Sequence, residues 1–198
     1  MKQIKLHSIL LLTFTFLLAG NLTAQRISFG LYTSDDIVLT PLNLGVLNFN
    51  DKQPVILSGE TVTINLADNA VAIMTITGRA DMDVTVLIDS PTSLDLDVSN
   101  KIPLAIRFAY SNTGASTDIT AKSSAIEVPA GFTSVTFPIK RRTSGLPAPP
   151  PNPTQTGYSG PMGTTYLFVY GTFGQVPVNS AAGNYIGNIN IHVEYSKY

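Results

Sequence analysis

Two aspartate pairs and one histidine are the side chains whose type and spacing could do chemistry: Asp81 with Asp83, Asp95 with Asp97, and His192. Residues two apart on a strand project from the same face, so each pair could ligate calcium or work as paired acid and base on a glycoside. No EF-hand loop or glycosidase signature surrounds them. In LDLDV, residues 94–98, Leu94, Leu96 and Val98 are expected on the core face, leaving the aspartates to water. His192 lies between Ile191 and Val193 and so faces the polar side with Asn188, Asn190 and Glu194. A Ser-His-Asp hydrolase would have to use this histidine, and no G-x-S-x-G elbow accompanies it. The basic run Lys140-Arg141-Arg142 reads as charges solvating a turn. Cysteine is absent, which removes thiol nucleophiles, thiolate metal sites and disulfides. The expectation is a protein that is not an enzyme, with no cofactor and no metal.

Aromatic residues offer a different chemistry. Tyr166, Phe168 and Tyr170 share one face of a strand and, with Tyr158 in a nearby loop, could stack against sugars; core packing is the competing reading. In RISFGLY, Ile27, Phe29 and Leu31 share a face ahead of the break Thr33-Ser34-Asp35-Asp36. Such a segment can pair within its own domain or be donated to a neighbour's sheet, making Ile27, Phe29 and Leu31 candidate strand-exchange contacts.

These residues must be positioned by strands. Short alternating or β-branched runs recur with turn residues between them, and no helical period is sustained. Expected strands cover residues 42–49, 61–67, 70–77, 83–89, 94–98, 104–110, 134–140, 164–171 and 185–195. Many short strands, each with one face to bury, point to an antiparallel β-sandwich, with a barrel as the alternative. The Pro-rich stretch at about 141–163 cannot be a central strand, because proline lacks the donor a ladder needs. It reads as an inserted loop within one domain spanning 25–198.

Residues 1–24 read as a cleaved signal peptide: Lys2 and Lys5, an apolar run over 9–19, and Leu22-Thr23-Ala24 before the cut. The run is shorter than the roughly 20 residues a membrane span needs, and no later segment qualifies, so no transmembrane span is expected in the mature chain. Removing Lys2 and Lys5 from the 12 basic residues leaves ten against 13 acidic ones, a net charge of −3. That balance gives no reason to expect a nucleic-acid partner.

IMTITGRADMDVTVLIDSPTSLDL and YLFVYGTFGQVPVNSAAGNYIGNINIHVEY resemble the paired signatures of a group of secreted bacterial domains of unknown function. That group is related in pattern to spore coat protein U and more distantly to fimbrial pilins. The hairpin positions that carry the resemblance are Gly171, Val176, Ala181, Ala182, Gly183, Tyr185 and Gly187, and it extends loosely over 44–195. It implies an immunoglobulin-like β-sandwich exported to the periplasm, outer surface or exterior of a Gram-negative bacterium. It also implies a structural or adhesive, fimbria-like role, with itself or other surface subunits as partners by strand addition; a secreted glycan-binding module is the alternative.

Overall fold

The computed structural model describes residues 25–34, 36–43, 45–142 and 161–196. The expected leader at 1–24, residues 143–160 of the Pro-rich stretch and Tyr158 therefore lie outside the described residues. The described strands are β1 (Arg26–Thr33), β2 (Val38–Pro41), β3 (Val46–Asn48), β4 (Thr61–Ile64), β5 (Ala72–Arg79), β6 (Asp83–Asp89) and β7 (Ser93–Asp95). They continue with β8 (Lys101–Ser111), β9 (Ile126–Glu127), β10 (Ser134–Pro138), β11 (Met162–Gly174) and β12 (Ile186–Tyr195), with a short α-helix, α1 (Asp118–Ser123), between β8 and β9 and a 3-10 turn (Phe49–Asp51) after β3. The chain is all-β, as the alternating pattern requires.

The strands join in one curled mixed sheet, ordered β10-β6-β12-β7-β8-β11-β5-β2, with β1 and β3 extending from β12, β4 on β11 and β9 on β8. Curling lays the β10-β6-β12 part of this order over the β8-β11-β5 part. Phe137 of β10 stacks on Tyr110 of β8 at 4.0 Å between ring centroids, and Phe49 meets Phe173 of β11 at 5.4 Å. The enclosed core includes Ile27, Val84, Val86, Leu94, Leu167, Val169, Ile189 and Ile191. Each fully buried aliphatic side chain contributes up to roughly 1.5–3 kcal/mol.

Three expectations are corrected. The sheet is not purely antiparallel, because β1 runs parallel to β12 over eight register pairs, from Arg26↔Ile186 to Thr33↔Val193. Parallel neighbours need a long connection between them, and nearly the whole chain separates these two. The strand expected at 94–98 stops at Asp95, because the Asp97 carboxylate accepts the Ser99 and Asn100 N–H groups and folds the chain into a turn. Val98 is consequently 91 % exposed rather than in the core. The strand expected at 42–49 is interrupted where the Asn43 side chain reaches across to the Val71 carbonyl and the Ile73 N–H. Helix α1 was not anticipated; it starts where the Thr117 hydroxyl accepts the Thr120 N–H, with Asp118 in its first turn and Lys122 in its last. Among the described residues no helix is long and apolar enough to cross a membrane.

Strand β11 is the crowded centre of its half of the sheet, with β8 on one edge and β5 and β4 sharing the other. A Cβ on Gly171 would run into the backbone carbonyl oxygen of Ala105, which the β8 ladder fixes in place. Gly171→Ala is expected to destabilise the fold by about 1–3 kcal/mol through overpacking. Urea denaturation checks this, and an unchanged midpoint would show that β8 yields freely.

Candidate functional site

The terminal strands form the first candidate. β12 buries Ile189, Ile191, Val193 and Tyr195 on one face and turns Asn188, Asn190, His192 and Glu194 outward, as its alternation dictates. One edge of β12 is covered by β6 and the other by β1. The structure thus places the three candidate strand-exchange residues in their own chain's sheet. Ile27 is fully buried, while Phe29 and Leu31 are partly buried against the core. On the outer side of β1, β3 pairs only with residues 26–28. Residues 29–33 have no strand on that edge among the described residues.

On the outward face, the parallel register sets Tyr32 opposite His192, and their rings stack at 4.6 Å with 10° between planes. That separation is close to the spacing between neighbouring strands, so the rings stand side by side across the ladder. Glycine at position 30 clears the space used by the Asn190 side chain and the Tyr32 ring, which a Cβ would crowd. Tyr32 is 52 % exposed. With Ser34, Thr85, Leu87 and Glu194, the stacked pair lines a shallow cleft of about 320 Å³. An aromatic plate beside a carboxylate and hydroxyls suits a small polyhydroxylated ligand.

The second cleft, about 550 Å³, lies between α1, the 65–67 turn, Arg107 of β8 and Glu127 of β9. Tyr170 lies at this cleft, its hydroxyl donating to Glu127 Oε2 at 2.7 Å, while Arg107 donates to the same oxygen at 3.1 Å and stands 5.8 Å over the Tyr170 ring. Burial and the Glu127 hydrogen bond push the Tyr170 hydroxyl well above its ordinary range, so it remains a proton donor. Across the cleft, Lys122 donates to the Asp68 carbonyl, tying α1 to the 65–68 turn.

The sugar-stacking candidates read from the sequence are buried: Tyr166 at 8 % exposure, Phe168 at 0 % and Tyr170 at 3 %. α1 packs against β11, and the Tyr166 and Phe168 rings are nearly parallel, 6.3 Å between centroids. Buried rings present no open face to a sugar. The aspartate pairs are also dispersed by their contacts. Asp83 pairs with Arg142 at 2.9 Å and Asp95 with Lys101 at 2.9 Å, while Asp97 is held by its own turn. Hydrogen bonds from Lys101 and from Asn100 hold the carboxyls of Asp95 and Asp97, respectively, below the usual range. No protein-family model matches the chain, and no curated protein matches it.

The Tyr32–His192 plate was partly legible, since both residues alternate onto polar faces. Their meeting was not, because a parallel pairing of two strands 160 positions apart leaves no local signal.

Strand β12 ends in a tie that secures the terminal pair. The Tyr195 hydroxyl donates to Asp36 Oδ1 at 2.7 Å and accepts the Arg79 N–H at 2.9 Å, while Arg79 Nε bonds Asp36 Oδ2 at 3.0 Å. Burial, with Asp36 alongside, pushes the Tyr195 hydroxyl up to about 12. A raised phenol contributes stability that is whole below its unfolded value of about 10 and lost as pH rises through 12. Tyr195→Phe is expected to cost about 1–3 kcal/mol at neutral pH, because it strips a partner from the Arg79 N–H. It should also flatten the loss of stability between pH 10 and 12. Denaturation midpoints across that range test both effects, and identical alkaline slopes for the two proteins would refute the assignment.

Proposed function

We propose that this chain is an exported, non-catalytic β-sandwich protein of a Gram-negative cell surface, structural or adhesive in role and able to assemble by donating its first strand. The carrying observation is the β1–β12 ladder: the first strand of the expected mature chain completes the sheet of the last one. Residues 34–37 are a short connection that could direct β1 into its own fold or a neighbour's, and the contacts made would be the same in either case. The face-to-face curl of the sheet supports a sandwich, and the resemblance to pilin-related secreted domains points in the same direction.

A disulfide across the ladder provides the test. Ser28 and Asn188 are register partners on the exposed face, with Ser28 Oγ 3.2 Å from Asn188 Oδ1, and the chain has no cysteine of its own to interfere. Neighbouring strands lie within the span a disulfide bridges. In S28C/N188C, oxidation of the monomer should lock β1 at home and block the concentration-dependent assembly seen after reduction. Oxidation of the assembled protein should instead give covalently linked chains. Assembly by the locked monomer at the rate of the reduced protein would remove strand donation.

The exposed Tyr32–His192 plate favours a second reading, a glycan-binding module. It expects binding on a glycan array that Tyr32→Ala weakens at least tenfold with the thermal midpoint unchanged. An empty array, or binding indifferent to Tyr32, would dismiss it.

A further inference from the structure

Gln25, the residue expected to follow the leader, is fully buried. Its carbonyl accepts the Phe49 N–H at 3.1 Å, and its own backbone nitrogen donates to Asn50 Oδ1. Asn50 is oriented for this by its Nδ2, which donates to the Pro54 carbonyl at 3.0 Å. Both polar ends of the Gln25 side chain, Oε1 and Nε2, are buried without a hydrogen-bond partner among the described residues.

Once the leader is removed, the nitrogen in this seat becomes an α-amine, protonated at neutral pH by its ordinary value of about 7.7–8.0. A linear Gln25 would then bury an ammonium facing a neutral amide oxygen, next to an unsatisfied side-chain amide. Both are unfavourable in a low-dielectric interior. One reaction relieves most of this.

We propose that the mature N-terminus is a pyroglutamyl residue formed from Gln25. The neutral α-amine attacks the δ-carbonyl carbon of its own side chain. A bond from the α-nitrogen to Cδ forms, the bond from Cδ to Nε2 breaks, and Nε2 departs as ammonia with the proton shed by the attacking nitrogen. No oxidant or second substrate is consumed. The lactam keeps a single N–H, matching the single acceptor at Asn50 Oδ1, carries no charge, and no longer has the orphan Nε2 donors. Cyclisation precedes the seating of β1, since the amine must reach its own side chain. The start of the strand is thereby neutral and closed to aminopeptidases.

The inference rests on the exported reading, and the two fail separately. The full chain with its leader is produced in a Gram-negative host, and the N-terminal peptide of the exported protein is analysed by mass spectrometry. The expected peptide begins at position 25, is lighter than linear sequence by one ammonia, and has no free amine. A peptide beginning at 25 with its amine intact overturns the lactam and leaves export standing. A start elsewhere overturns the leader assignment. As an independent readout, Gln25→Asn keeps an amide and an amine but would require a strained four-membered lactam. It should retain its amine and unfold at a lower temperature than the cyclised protein, and equal midpoints would count against burial as the reason for closure.

Discussion

The fold depends on covering both edges of β12. This strand carries Ile189, Ile191 and Val193 into the core, and its backbone groups need partners on two sides if they are not to lie unpaired beside that core. β6 supplies one side as an antiparallel neighbour, and β1 supplies the other in parallel. Removing β1 would leave a buried strand with a bare edge, the feature that invites pairing with another chain. The N-terminal segment is therefore a structural requirement of the sheet.

The tie at Tyr195 works with this ladder. Its hydroxyl joins the end of β12 to Arg79 at the end of β5 and to Asp36, which follows β1 in the chain. Burial alone would raise the Asp36 carboxyl, but the hydrogen bonds from Tyr195 and Arg79 outweigh it and hold the carboxyl below its ordinary value. The group is exposed enough that its ion pair adds little by itself. What the triangle contributes is position: it fixes where the curl closes and where the connection from β1 to β2 must pass.

Much of the architecture was legible because period-two alternation reports faces directly. Residues 83–89 form β6 with no adjustment at either end, and β12 begins one residue inside the expected 185–195. The failures share a cause. Asn43 and Asp97 end strands by side-chain hydrogen bonds to backbone, a competition that hydrophobic pattern does not register. The same pattern could say that Tyr166, Phe168 and Tyr170 share a face but not that α1 packs against their strand. Nor could it pair Tyr32 with His192, since register between distant strands is decided by tertiary packing.

The two halves of β1 are held differently, and this bears on how a strand could be donated. Residues 26–28 lie between β3 and β12, with Ile27 fully buried and Gln25 seated behind it, whereas Phe29 and Leu31 are only partly buried and have one strand neighbour. Local opening starts where contacts are fewest, so β1 frays from the end nearest its connection to β2. Fraying there is not release, because the deeply held end at residues 25–28 must also leave the core before the strand can move to another chain. Exchange between finished monomers is thus opposed by the full burial of Ile27, worth up to roughly 1.5–3 kcal/mol, together with the β3 ladder. A chain whose β1 has not yet seated meets neither obstacle, so the proposed donation would be easiest during folding.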